Sequence, residues 1–303
     1  IYYKMDFKNQ IKKNKPSMSD GSIKTYNSLL KTIYNNVFKD DDKPDFKDHK
    51  KVMVFLNEKP YSSRKTYLSA LVCIEPDVDE YKKQMLVDIK NYDDETNKSK
   101  MTDKLTESKI EKEEIDEIVD KLKRDAELLY KKKSLKISDL MDIQNYIIIS
   151  LYYGHIVPRR ATDYVLMGIR NFTEDDNYID FKKNRFVFNK FKTATKMGQK
   201  LRGQQTLDIP PSLKKILVKW INIIPPEVDT LLFTSNFKPM TNVILNQRLN
   251  SIFKGKKGVN ALRHFYLTSK YKELMMANEV MESDMTDMGS SINQSKNYIK
   301  INE

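Results

Sequence analysis

Apolar side chains recur at three- and four-residue intervals along most of this chain, and that is the period of an amphipathic α-helix. A clear example runs from Ile23 to Val37. Three short segments of the second half have a strand-like pattern: Tyr178–Phe181, Arg185–Asn189 and Thr206–Ile209. The pattern predicts a mainly α fold with a small antiparallel β-sheet (α+β).

The helical pattern is interrupted by a polar segment before the middle of the chain. Asn91–Thr106 is dense in Asp, Asn, Lys, Ser and Thr, which is typical of a linker. We therefore predict a helical domain at residues 1–90, a linker at 91–109 and a second domain at 110–303. Helices of the second domain are predicted over Ser138–Tyr153, Leu213–Ile224, Asn242–Phe253 and Val259–Met275, with a further one within Met276–Asp287.

The net charge is +12. Residues 1–90 carry +5, residues 91–136 carry −1 and residues 137–303 carry +8, so the two ends of the chain are basic and the middle is not. Such a charge favours a polyanionic partner, because lysines and arginines placed on phosphates release condensed counterions. A lysine-rich composition also arises from an AT-biased genome, so charge alone sets no mechanism.

Several function classes are disfavoured by what the sequence contains. The single Cys73 excludes an intrachain disulfide framework and fits a reducing compartment. With one Cys and three scattered His, no zinc motif can be formed. No run approaches the roughly 18 apolar residues that a membrane span needs. The chain also lacks the Gly-rich loop motif that binds nucleotide phosphates.

Four short motifs carry candidate chemistry, in a fixed order along the chain. Breaking a phosphodiester requires a nucleophile, cations for the non-bridging oxygens and an acid for the leaving oxygen. Arginine suits the second task because its planar fork meets two oxygens at once. The motifs are Arg160 with Asp163, Phe191-Lys192-Thr193, Asn260-Ala261-Leu262-Arg263-His264, and Met288-Gly289-Ser290 followed by Tyr298.

This order resembles the catalytic domain of the tyrosine recombinases, the phage-type integrases. Arg-x-x-Asp, Lys-Thr after a strand, Leu-Arg-His, Met-Gly-x-Ser and a late Tyr all occur in sequence. Each motif alone is nonspecific, since Arg and Asp at this spacing usually form a surface pair. The helical N-terminal part is similar to the core-binding domain of that family. The resemblance covers roughly residues 17–90 and 110–300.

The resemblance implies a role for each motif residue. Arg160 and Arg263 hold the scissile phosphate, and Asp163 supports Arg160. Lys192 protonates the 5′ oxygen, with Lys190 and Lys196 as substitutes, and Tyr298 forms a 3′-phosphotyrosyl link. That link keeps the energy of the broken bond, so neither ATP nor a metal or other cofactor is required. Lys256 and Lys257 lie in a basic loop expected to contact the DNA backbone.

Two positions depart from the family pattern. Asn260 and Ser290 stand where the family usually has histidine, and histidine or tryptophan. Asn can donate a hydrogen bond but cannot carry a proton. His264 is adjacent to Arg263 and so faces another side of the helix, which favours a structural or supporting role. Because one lost donor typically costs about 10²–10³ in rate, we expect a slow enzyme rather than an inactive one.

The sequence favours three hypotheses for the function. The leading one is a site-specific recombinase or integrase of a mobile element or DNA virus, acting on double-stranded DNA as a homotetramer on two sites. A type IB topoisomerase-like or telomere-resolvase-like transesterase is the second, and a DNA-binding protein with weakened catalysis is the third. Each implies an intracellular location at DNA (host cytoplasm or nucleus, or a virion) and no membrane.

Overall fold

The computed structural model describes residues 6–39, 41, 44–97, 103–196, 199–200, 203–295 and 299. The chain divides into two compact units. The first comprises Ile1–Met101 with Thr195–Leu201, and the second comprises Thr102–Ala194 with Arg202–Glu303.

The first unit is a bundle of amphipathic helices. Ser19 caps the helix that begins at Asp20, and Asp48 caps the helix that begins at His49. Each side chain accepts a hydrogen bond from a backbone N–H of the first turn. Apolar side chains from the inner faces form one buried cluster that includes Leu30, Leu56 and Leu71. The helices are α1 (Lys8–Asn14), α2 (Asp20–Val37), α3 (His49–Asn57), α4 (Tyr61–Ile74) and α5 (Asp79–Asn97).

Helix α5 continues into the segment that the sequence predicted to be a linker. A buried ion pair fixes it to α4: the Arg64 guanidinium donates from Nε and Nη2 to the two carboxylate oxygens of Asp88, each at 2.8 Å. Asp88 is fully buried, and Gln84 donates to it as well. A polar helix held by such a pair lacks the apolar stripe that periodicity detects, and for that reason the sequence did not predict it.

The second unit is built around one helix, α8 (Ile137–Tyr152). Nearly all of its side chains from Leu140 to Tyr152 are buried. Trp220 is fully buried, stacks on Phe233 and donates from Nε1 to the carbonyl of Leu231 at 2.9 Å. The helices of this unit are α6 (Asp103–Glu107), α7 (Lys112–Leu129), α8 (Ile137–Tyr152), α9 (Ala161–Val165), α10 (Pro211–Ile221), α11 (Asn242–Ile252) and α12 (Val259–Asp287), with a 3₁₀ turn η1 at Ile292–Gln294.

A small sheet lies within this unit, confirming a mainly α fold with a small sheet. Its strands are β1 (Met167–Gly168), β2 (Asn177–Asp180), β3 (Arg185–Phe188) and β6 (Gln205–Asp208), in the order β1-β2-β3-β6; the short β4 (Thr195–Lys196) and β5 (Gln199–Lys200) pair with each other. The predicted strands are found within one or two residues of their expected bounds. The sheet is mixed and not antiparallel, because β1 pairs in parallel with β2.

Helix α12 is one continuous helix where the sequence predicted two. It runs from Val259 to Asp287 without interruption. Its end is a Schellman motif: Gly289 has φ +70°, its N–H donates to the carbonyl of Thr286, and Ser290 N–H donates to that of Met285. The Met-Gly pair of the fourth motif therefore ends this helix.

Candidate functional site

The first motif lies where the chain enters α9. Arg160 is the N-cap residue of this helix and is exposed. Asn242, the first residue of α11, donates from its side-chain amide to Thr162 Oγ1 at 2.9 Å. This bond joins the short α9 to α11. The exposed Arg160 therefore lies at the start of a helix that a neighbouring helix holds in place.

Asp163 bonds Arg159, and not Arg160 as the sequence predicted. The Nε of Arg159 donates to Asp163 Oδ2 at 2.8 Å, and its Nη2 donates to Gln205 Oε1 at 3.1 Å. Its guanidinium also lies 3.8 Å from the centre of the Phe188 ring. Arg159 therefore joins α9 to strands β3 and β6. The i,i+4 spacing of Arg159 and Asp163 is the signal that could have indicated this pair.

The Asp163 carboxylate brings the first and third motifs together. Burial raises its pKa, and the charges of Arg159, Arg160 and Arg263 oppose that rise. Its second oxygen, Oδ1, is buried and has no hydrogen-bond partner in the part of the chain that the structure describes. Arg160 and Arg263, far apart in the sequence, thus both lie close enough to one buried carboxylate to act on it electrostatically.

Two tyrosine hydroxyls share this buried environment. Tyr152 and Tyr164 are almost fully buried, their rings meet edge to face, and neither hydroxyl has a hydrogen-bond partner among the described residues. Burial raises the pKa of the Tyr152 hydroxyl well above its ordinary value; the charge of Arg263 acts in the opposite direction. Arg263 therefore lies close enough to this buried hydroxyl to act on it electrostatically.

The third motif lies in the first turns of α12. Asn260 and His264 are exposed, and Arg263 is partly buried. The start of this helix is fixed by Asn246 of α11, whose Oδ1 accepts a hydrogen bond from Val259 N–H at 2.9 Å. A Cβ atom on Gly258 would lie 2.2 Å from that same Oδ1. Glycine is thus required for Asn246 to cap α12.

The second motif is the turn that follows β3. Lys192 is exposed there, next to Phe191, whose ring centre is 5.6 Å from the Arg159 guanidinium. Lys190 differs, because its ammonium pairs with Asp176 at 2.6 Å. This lysine and a hydrogen bond from Thr173 hold the pKa of Asp176 at about 2. The side chain of Lys196 lies outside the described residues.

The basic loop before α12 makes ion pairs within the second unit. Lys257 donates to both carboxylate oxygens of Glu114 in α7, and only 16% of its side chain is exposed. Lys256 is highly exposed and lies 3.1 Å from Glu107. We expected Lys257 to contact the DNA backbone. In the structure its charge is already paired with Glu114, so this expectation is corrected.

The fourth motif lies at the opposite end of α12 from the third. At about 1.5 Å per residue, Asp287 lies about 36 Å from Arg263 along the helix axis. Ser290 follows it, partly buried, with its hydroxyl 2.5 Å from Gln294 Oε1. Tyr298 lies outside the described residues. Within one chain, the uninterrupted α12 separates Ser290 from Arg263.

A cleft of about 340 Å³ lies elsewhere in this unit, between α7, α8 and α11. Arg248 and Lys121 line it, but none of the motif residues does. In the described part of the chain, no group of three His, Cys, Asp or Glu side chains could hold a metal ion. Among those same residues, no helix is long and apolar enough to cross a membrane.

Comparison with known proteins gives a weak structural likeness. No family model and no curated protein matches the chain. The crystal structure of XerA recombinase is similar over 87% of this chain and 83% of that chain, with 12% sequence identity and a TM-score of 0.36. A likeness at this level assigns neither a family nor an activity.

Proposed function

We propose that this protein is a site-specific recombinase that cleaves and rejoins double-stranded DNA through Tyr298. One observation carries the proposal: Arg160 and Arg263, which belong to separate motifs, both act on the buried carboxylate of Asp163. Two arginines that lie near one buried carboxylate on a basic protein suit a phosphodiester, whose developing charge they neutralise. The exposed Lys192 lies on the turn next to Phe191, whose ring centre is 5.6 Å from the Arg159 guanidinium.

In the proposed reaction, the Tyr298 hydroxyl attacks phosphorus and the bond to the 5′ oxygen breaks. Lys192 gives its proton to that oxygen, while Arg160, Arg263 and the amide of Asn260 bind the non-bridging oxygens. Attack by a 5′ hydroxyl on the phosphotyrosyl link reverses the step, so no cofactor is consumed. Lys256, the more exposed lysine of the loop, contacts the DNA backbone.

The length of α12 constrains how the proposed site can be assembled. Ser290 and the segment that leads to Tyr298 follow the far end of this helix, about 36 Å from Arg263 at 1.5 Å per residue. A complete site therefore requires either that α12 bends or that a neighbouring copy supplies the segment. The first unit binds DNA as well, and a homotetramer on two DNA sites is the assembly that we propose, in the cell compartment that holds the DNA.

A second function, DNA binding without cleavage, is favoured by one observation. The continuous α12 separates Ser290 from Arg263, and Asn260 stands where the resemblance implies a proton-carrying histidine. In that case the arginines still bind phosphate but no strand is cut.

A covalent-adduct assay separates these functions. Duplexes that the protein binds are first selected from a random-sequence pool, then nicked so that cleavage traps the protein on the DNA. We expect an adduct with the wild type, none with Tyr298→Phe, and an adduct with Tyr178→Phe, the control, whose ring stacks on Phe172. Absence of an adduct on every tightly bound duplex would leave DNA binding as the function, and absence of binding would refute both.

A second assay identifies the outcome of cleavage. Exchange of strands between two duplexes indicates a recombinase. Relaxation of supercoils without exchange indicates a topoisomerase-like transesterase, and closure of duplex ends into hairpins indicates a telomere resolvase-like one.

A further inference from the structure

The middle of α12 is exposed on every side. Each residue from Leu267 to Val280 is exposed, although several are large and apolar. The exposed fractions are 53% for Leu267, 56% for Leu274, 50% for Met275, 56% for Met276 and 61% for Val280. In proteins, most helices depend for their stability on packing of an apolar face. This one has no cover within the described part of the chain.

Five residues of α12 are spaced as in a coiled coil. Leu267, Tyr271, Leu274, Asn278 and Met281 alternate intervals of four and three, which places them along one side of the helix. We call these residues the α12 stripe. A seam of this spacing fits the side of another helix, and a polar Asn within it restricts the register of pairing.

The charges beside the stripe indicate which helix pairs with it. Lys270 and Asp284 flank the stripe on the same side, two heptads apart. In an antiparallel pair of identical helices, each lysine then faces the aspartate of the other copy. In a parallel pair, Lys270 faces Met275 and gains no partner.

The order of these charges also opposes the dipole of α12 itself. Its last turn contains Asp284 and Asp287 and no basic residue, although a helix C-terminus favours cations. An antiparallel neighbour places the basic end of one helix beside the acidic end of the other and so compensates this arrangement.

We infer that two copies of this chain associate through their α12 stripes, antiparallel, with a two-fold axis near Met276. Tyr271 packs against Met281 of the other copy, Leu274 against Asn278, and Lys270 pairs with Asp284 on both sides of the axis. The association does not rest on the proposed cleavage activity. In this register, the end of α12 that carries Ser290 lies level with the end that carries Arg263 in the other copy.

The test is sedimentation of the full chain without DNA over a wide range of concentrations. We expect the wild type to form a dimer reversibly and Leu274→Glu, which places a charge in the stripe, to remain monomeric. Leu128→Glu is the matched control, because Leu128 in α7 is 64% exposed and lies outside the stripe. A wild type that stays monomeric, or equal dimerisation of both variants, would overturn the inference.

A charge exchange tests the antiparallel register and the identity of the partner. Lys270→Glu and Asp284→Lys should each weaken dimerisation by about tenfold, because two attractive pairs become repulsive. A mixture of the two variants should restore association, since all cross pairs are then opposite in sign. A mixture that is no stronger than either variant alone would rule out this register. Circular dichroism of each variant shows that the helices are retained.

Discussion

Arg159 donates a hydrogen bond from Nε to the buried Oδ2 of Asp163 at 2.8 Å, so this carboxylate is bound by the arginine that precedes the proposed catalytic one. The side chains are 18% and 5% exposed, respectively. The pair links α9 to the sheet through Phe188 and Gln205. Asp163 thereby fixes the backbone from which Arg160 projects.

Arg159→Ala should destabilise the protein strongly, because it leaves a buried carboxylate unpaired. Removing one partner of a buried pair costs about 3–5 kcal/mol in free energy of unfolding. Urea denaturation measures the loss. The control is Lys190→Ala, which breaks an exposed pair with Asp176 and should cost less than about 1 kcal/mol. Equal losses in the two variants would show that Asp163 does not depend on Arg159.

The small sheet could be predicted from the sequence, since the strand-like segments Arg185–Asn189 and Thr206–Ile209 are visible locally. The parallel strand β1 could not, because its two residues carry no period and its pairing depends on distant β2. The continuity of α12 was also missed, because no local signal at Met275 and Met276 shows that one helix continues there.

The motif order selects Arg160, Lys192 and Arg263 as candidates, but the sequence does not predict their partners. Asp163 pairs with Arg159, and that pairing depends on Phe188 and Gln205, which only the folded sheet places beside Arg159. In the same way, nothing local to Lys257 indicates that Glu114, on α7, neutralises it.

Arg160→Ala and Arg263→Ala should each abolish most cleavage while DNA binding is largely retained. Loss of one transition-state donor typically lowers the rate by about 10²–10³. Single-turnover adduct formation measures cleavage, and fluorescence anisotropy measures binding to the same duplex. Arg124→Ala, an exposed arginine of α7, serves as control. Near-wild-type cleavage by either site variant would mean that the motif register is wrong.

Tyr152→Phe and Tyr164→Phe should leave the free energy of unfolding unchanged or raise it by up to about 1 kcal/mol. Both hydroxyls are buried and have no partner among the residues that the structure describes, so their removal relieves an uncompensated desolvation cost. Tyr81→Phe is the contrast, because the Tyr81 hydroxyl is buried and donates to the carbonyl of Phe46 at 2.7 Å. That variant should lose about 1 kcal/mol. A comparable loss in Tyr152→Phe would indicate a bound partner, such as water.

The pKa of Asp176 should rise from about 2 toward its ordinary 3.8 in Lys190→Ala, because the ammonium is the largest cause of the depression. The rise is partial, since Thr173 still donates to the carboxylate. A depressed folded-state pKa stabilises the fold above pH 3.8, and this contribution is lost as the pH falls through about 2. Carboxyl carbon NMR titration measures both pKa values. An unchanged pKa in the variant would contradict the ion pair.

Gly258→Ala should lower cleavage and stability together. Its methyl group would meet Asn246 Oδ1 at 2.2 Å and displace the side chain that accepts from Val259 N–H. Loss of a helix cap costs about 1 kcal/mol, and here the freed turn carries Asn260 and Arg263, so the phosphate-binding geometry is disturbed as well.

Asn246→Ala separates these effects, because it removes the cap without adding a methyl group. If capping positions Arg263, this variant should show the same loss of cleavage as Gly258→Ala at a smaller cost in stability. Normal cleavage in Asn246→Ala would show that the fixed start of α12 is structural only. Thr241→Ala, which removes the cap of α11 and not of α12, is the matched control and should lose stability without that loss of cleavage.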